Sequence, residues 1–185
     1  MATIVKDSTL VPVYNMVDHK VVYVNSETHR RVVFEPFQKK NIPAGELRTL
    51  NYSTGGEKLI HDYLCIKSDD LRAEFNIPSD QIEYDWTLDD IHKVLEDLST
   101  PIEVLQDALD FGPQGIRELI ADCAVKWKIP DSNRRRIISQ MTGVNIDKQI
   151  EFLEKVEEPP IQSDTSSQRR VNRSEPQRTG RRVQS

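Results

Sequence analysis

The chain has 185 residues, 30% of them charged and 37% hydrophobic, with a formal net charge of −5. That length suits one compact domain or two small ones, and the absence of any run of about 18 apolar residues excludes a membrane-spanning helix. The opening residues MATIVKDSTLVPV lack a charged start followed by a long apolar core, so no secretory signal is expected.

The charge is unevenly spread. Residues 161–185 hold Arg169, Arg170, Arg173, Arg178, Arg181 and Arg182 against Asp164 and Glu175, which makes them +4 and leaves 1–160 at −9. An acidic body carries a basic extension.

Residues 1–67 read as a β-rich unit with a helical hairpin inserted. "LVPVYNMV", "HKVVYV" and "RRVVFEPF" are short, rich in Val, Tyr and Phe, and separated by turn-prone residues. Alternation sends His19, Val21 and Tyr23 to one face and Lys20, Val22 and Val24 to the other. Pro12 and Pro36 predict edge positions or strand ends, because proline cannot donate to a ladder. A small antiparallel sheet or partial barrel is expected.

The stretch "RTLNYSTGGEKLIHDYLCI", Arg48 to Ile66, looks most like a ligand loop. A phosphate loop needs G-x-x-x-x-G-K-[ST]; here the first glycine and the hydroxyl after Lys58 are missing, and Glu57 puts a negative charge where phosphate would sit. The stretch reads better as two short helices. Glu46, Leu47, Leu50 and Asn51 suit the first, Gly55 supplies a left-handed end, and Leu59 and Ile60 face inward from the second. "YLCIK" then returns as a strand.

Residues 68–86 read as a connector, with Ser68 capping "DDLRAEF" and "NIPSDQIEYDW" irregular or a lone strand. Residues 87–158 read as a bundle of five short helices. Thr87 caps a helix with Leu88, Ile91, Leu95 and Leu98 on one face. Thr100, Pro101 and Glu103 form a capping-box start. Gly112-Pro113 stops that helix, and Ile116, Leu119, Ile120, Cys123, Ala124 and Trp127 make an apolar stripe on the next, ended by Pro130. Asp131 or Ser132 caps "NRRRIISQM", Gly143 ends it, and Asn145 caps the last helix. Residues 159–185 begin with Pro159-Pro160, hold few apolar residues, and are expected to form a flexible Arg-rich tail.

Site chemistry is sparse. His61 and Cys65 have a spacing that suits a shared metal on a helix, but no third ligand is at hand. No G-x-S-x-G, H-E-x-x-H or C-x-x-C is present. Cys65 and Cys123 lie far apart in apolar surroundings and read as buried thiols, which points to assembly inside a cell. Acid pairs such as Asp69-Asp70 and Asp89-Asp90 sit at helix starts, where they complement the dipole. No catalytic residue, cofactor or metal is expected, and the chain reads as a non-enzyme.

Segment 134–153 resembles a helix-turn-helix, with Gly143 in the turn, a small residue at Ser139, and Arg134, Arg135 and Arg136 as candidate phosphate contacts. Its apolar stripe, Ile146, Ile150 and Leu153, is one residue out of register with the usual pattern, and Glu151, Glu154, Glu157 and Glu158 would repel DNA.

Four segments, "RRVVFEPFQKKNI", "ELRTLNYSTGGEKLIHDYLCI", "LDFGPQGIRELIADCAVKWKIPD" and "RRRIISQMTGVNI", resemble virion-associated or uncharacterised proteins of tailed phages and prophages of Gram-positive bacteria. The resemblance covers about half of 1–150, excludes the Arg-rich tail, and brings no catalytic residues. It implies an accessory or structural role in a phage particle assembled in the host cytoplasm, oligomeric there, with other virion proteins (capsid, portal or connector) as partners. Under this reading the tail arginines meet an acidic protein surface or packaged DNA. The alternative is a nucleic-acid-binding regulator using 134–153 and the tail. The expected architecture is α+β: a β-rich unit, a helical bundle and a basic tail.

Overall fold

The computed structural model describes residues 5–157. Its class is α+β, with a small antiparallel region followed by helices. The expected tail lies outside the described residues, and so do its six arginines.

Three strands form the main sheet: β1 (Leu10–Asn15) lies between β4 (Lys39–Pro43) and β5 (Leu64–Ile66), antiparallel to both. A separate hairpin pairs β2 (Val21–Val24) with β3 (Arg31–Phe34). Val21 and Tyr23 are buried while Val22 and Val24 face out, as alternation requires. Lys40 Nζ donates to the Val33 carbonyl, which ties the hairpin to β4.

Pro12 departs from a simple edge position, because β1 is the central strand. Its carbonyl accepts the Lys67 N–H at 3.0 Å, but proline cannot donate the return bond. The β5 pairing accordingly begins only at Val13↔Ile66, and the chain turns away into helix.

Among the described residues the helices are α1 (Ala44–Asn51), α2 (Gly56–Asp62), α3 (Asp69–Glu74), α4 (Leu88–Glu96), α5 (Ile102–Phe111), α6 (Gln114–Lys126), α7 (Ser132–Thr142) and α8 (Ile146–Glu157), with a 3-10 turn at Ile82–Asp85. The Asp131 carboxylate accepts the Asn133 N–H at 2.8 Å, Asn145 Oδ1 accepts that of Lys148 at 3.0 Å, and Gly143 ends α7 at φ 75°. Ile116, Leu119, Ile120, Cys123 and Ala124 are buried, so the α6 stripe faces the core as expected.

Two helix starts differ from expectation. α5 begins at Ile102 with Pro101 at the cap position, and no side-chain cap forms. Thr100 belongs instead to a turn in which the Asp97 carboxylate accepts the Ser99 N–H at 2.9 Å and hydroxyl at 2.7 Å. Ser68 occupies the cap position of α3 but makes no capping bond. On α4 the buried face is Ile91, Val94 and Leu95; Leu98 lies beyond the helix, 74% exposed.

The buried residues form one cluster that includes Val11 and Val13 of the sheet and Leu105, Ile120 and Ile138 of the helices. The β-rich and helical segments therefore share a core. The Gly-Gly pair serves that packing. Gly55 adopts φ 79° in open space, whereas a Cβ on Gly56 would lie 1.8 Å from the Leu50 carbonyl oxygen. Gly55 is needed for its conformation and Gly56 for the close approach of two backbones. Gly55→Ala is expected to cost about 1 kcal/mol and Gly56→Ala about 3 kcal/mol or more, a contrast that urea unfolding of the two variants measures directly.

Candidate functional site

The segment expected to be an irregular connector carries the most concentrated polar chemistry. Tyr84, 1% exposed, lies in the 3-10 turn and sends its hydroxyl to the free edge of β5. The hydroxyl oxygen is 2.5 Å from the Leu64 carbonyl and 3.1 Å from that of Ile60, and it accepts the Ile66 N–H at 3.2 Å. Arg72 Nε donates to the Ile66 carbonyl at 2.5 Å, and the guanidinium lies 4.8 Å from the Tyr84 ring centroid. One tyrosine and one arginine thus satisfy an edge that would otherwise present unpaired backbone groups.

Asp85 holds the arginine in place. Its carboxylate takes both Arg72 terminal nitrogens, at 2.7 and 2.6 Å, and also the Lys67 ammonium. The Arg72 guanidinium, helped by Lys67, holds the Asp85 carboxyl well below the usual carboxylate range. Cys65 Sγ lies 3.4 Å from the same carboxylate, and burial pushes its thiol up to about 11. Burial does the same to Cys123, also to about 11. Both cysteines are buried and free, and neither has the low pKa of a reactive thiol. The His61 ring meets the Phe75 carbonyl at 2.9 Å, so His61 and Cys65 are engaged separately. Among the described residues no group of three potential metal ligands assembles.

A cavity of about 420 Å³ opens beside this cluster. Tyr14, Met16, Phe37, Trp86 and Leu88 supply apolar walls, and Lys67, Asp85 and Asp89 lie among its polar lining. Lys39 and Lys67 approach the Tyr14 ring, 5.3 and 5.8 Å from its centroid. Phe37 is held unusually. It follows Pro36 in a turn closed by the Gln38 N–H on the Glu35 carbonyl at 3.0 Å, and its φ is 55°. Glycine is the ordinary residue at such a position, and an aromatic residue there costs about 1 kcal/mol or more. Its side chain, 39% exposed, lies outside the buried core and lines the cavity.

The consecutive arginines separate sharply. Arg134 is 3% exposed: Nη2 donates to the Asp97 and Thr100 carbonyls at 3.0 and 2.8 Å, and Nη1 to Asp131 at 3.2 Å. Arg135 donates to the Ile129 carbonyl at 2.8 Å and pairs with Asp147 at 2.6 Å. Arg136 is exposed and bonded to Asn133 and Gln140. Arg134 is therefore corrected from a candidate phosphate contact to an internal pin for the α4–α5 turn. Arg135 is spent largely on the α6–α7 connection.

The hairpin geometry of α7 and α8 does form. Ser139 Oγ donates to the Arg135 carbonyl at 2.8 Å and accepts the Ile146 N–H at 3.1 Å across the turn. The outer side of α8 exposes Asp147, Glu151 and Glu154 along with Lys148 and Lys155, and Lys155 is paired with Glu151 at 2.7 Å. Sequence reading missed Tyr84, Arg72, Asp85 and Phe37 as a group. Their one local signal is two aromatics, Tyr84 and Trp86, in an otherwise polar stretch.

No family model, curated protein or solved structure matches this chain.

Asp85→Asn should cost about 1–2 kcal/mol, a charge-assisted bond discounted for partial exposure. Because the folded carboxyl titrates below its unfolded value near 3.9, this stabilisation is full above that pH and is lost as pH falls through the folded value. Wild-type stability should therefore drop more steeply from pH 6 to pH 3 than that of Asp85→Asn, as followed by urea midpoints. Arg134→Ala should cost about 3 kcal/mol, while Arg136→Ala should stay within about 0.5 kcal/mol in the same assay.

Proposed function

We propose that this chain is a non-enzymatic accessory protein of a tailed-phage virion, acting through protein–protein contacts. The acidic body docks on one virion protein, such as capsid, portal or connector. The arginines of 169–182 meet a second, acidic surface or packaged DNA.

The observation that carries this reading is apolar exposure that falls in neighbouring pairs of segments or turns. Ile82 and Phe111 are 64% and 72% exposed, and Gln81 Nε2 joins their segments by donating to the Phe111 carbonyl at 2.7 Å. Phe152 and Val156, one turn apart on α8, are 63% and 65% exposed. Single exposed hydrophobics are ordinary, but neighbouring pairs on a polar chain suit surfaces that an assembly covers. The segment resemblance to virion-associated proteins favours the same setting.

A nucleic-acid-binding regulator is the second reading, favoured by the α7–Gly143–α8 hairpin. The inward commitment of Arg134 and the acidic residues on α8 weigh against it.

Density-gradient sedimentation of the source lysate, with this protein quantified in each fraction, tests the first reading. Co-migration with intact particles at a fixed ratio to the major shell protein is the expected result. Confinement to the slow fractions would sink it and move the regulator reading to first place.

A further inference from the structure

We infer that a second cavity, between α6, the loop from β1 to β2 and the end of α7, binds a free α-amino acid. Arg117 takes its carboxylate, Asp122 its ammonium, and Met141 and Val144 its apolar side chain. The inference goes beyond the contact-protein reading and does not depend on it. The cavity has a volume of about 460 Å³, and His19, Arg117, Ala121, Asp122, Met141 and Val144 are among the residues that line it. That volume suits a ligand the size of one amino acid.

Arg117 is the residue whose placement calls for a ligand. Arg48, Arg72, Arg134 and Arg135 are likewise covered by the fold, and each pairs with a carboxylate: Glu74, Asp85, Asp131 and Asp147 respectively. Among the described residues Arg117 is the one arginine that is partly buried and has no such partner. Its Nε is buried with no hydrogen bond at all. A guanidinium held in this way costs stability unless an anion meets it.

The nearby carboxylates do not meet it. Glu118 is already engaged, accepting Gln114 Nε2 at 2.9 Å and the Tyr63 hydroxyl at 3.2 Å. Asp122 stands five residues after Arg117, which places it about 140° around the helix. Ala121, 5% exposed, lies between them as the floor of the cavity. Asp122 likewise has no hydrogen-bond or ion-pair partner among the described residues, and burial beside Asp18 and Glu118 pushes its carboxyl up. Lys126, the cation nearest in sequence, is paired with Asp18.

This charge pattern selects the ligand. An inorganic anion at Arg117 would also face Glu118 and Asp122. A metal ion would face Arg117, and no group of three potential ligands assembles among the described residues. A ligand carrying both charges a few atoms apart satisfies the guanidinium and the carboxylate together. A peptide end carries one of those charges at a time, whereas a free amino acid carries both on one carbon. Met141 and Val144 leave an apolar wall for its side chain.

Isothermal titration of the full chain with L-leucine, L-methionine and L-valine provides the test. Saturable binding of at least one, with a raised thermal midpoint, is expected. Isoamylamine lacks the carboxylate and isocaproate lacks the ammonium, and each should bind about tenfold or more weakly than L-leucine. Arg117→Gln and Asp122→Asn should each weaken binding by a similar factor. Without ligand, Arg117→Gln should keep its thermal midpoint or raise it, because the unpaired charge is gone. Absence of binding by all three amino acids would overturn the proposal. So would equal binding of isoamylamine or isocaproate, or affinity unchanged in both variants. A lowered midpoint in unliganded Arg117→Gln would overturn it as well, since Arg117 would then be a structural residue.

Discussion

The free edge of β5 is the constraint on which the rest of the fold depends. A three-stranded sheet whose last strand is three residues long gains little from its own ladder. It persists because Tyr84 and Arg72 supply the partners that a fourth strand would have given. Both come from the segment after the sheet, so the chain completes its β layer with side chains. Asp85 then fixes Arg72 from the solvent side. This places an ion cluster, a buried tyrosine and the end of a strand within one hydrogen-bonded group, and the 420 Å³ cavity lies beside it.

A second seam brings the helical half against the same region. A Cβ on Gly115 in α6 would sit 2.6 Å from the Asp62 carbonyl oxygen and 2.8 Å from a Val17 methyl. The start of α6 therefore packs backbone-first onto the end of α2 and the loop after β1. The Tyr63 hydroxyl reaches Glu118 of the same helix at 3.2 Å. With Tyr84 on one side of β5 and Gly115 near its start, the helical half cannot move as a body without exposing a sheet edge or opening a close contact. This is why the β-rich and helical segments, distinct by composition, fold around one core.

What was legible in the sequence follows from the range of the interaction. Asp131, Gly143 and Asn145 act within a few residues of themselves, and their capping roles could be read directly. The α6 stripe repeats at helical spacing and was equally plain. Thr100 carried as good a local signal as Asp131, yet its turn is organised by Asp97 and by Arg134, which is 34 residues away from it. Pro12 marked a limit correctly but not its nature, since the missing donor shortens the neighbouring strand rather than forcing β1 to the edge. Tyr84 had no more local signal than its place near Trp86 in a polar stretch, because its partners belong to residues 60–66 and only the completed fold brings them together. The cavity was illegible for the same reason: β1, the Pro36–Phe37 turn, β5 and α4 each contribute part of it.

The run Arg134-Arg135-Arg136 shows how this bears on function. In sequence it is a block of +3 beside a helix-turn-helix pattern, an inviting phosphate site. In the structure, guanidinium donors are spent on carbonyls at two interhelix turns, a use to which arginine's planar fork is suited. Arg134 sits 3% exposed with Asp131 beside it. The field around the bundle is therefore more acidic than residue counting along α7 and α8 implies. An acidic surface repels nucleic acid and also repels other acidic proteins, so under the proposed contact role the body relies on apolar side chains and local cations such as Lys39. The few exposed aromatics consequently matter more to what this chain can hold than its formal charge does.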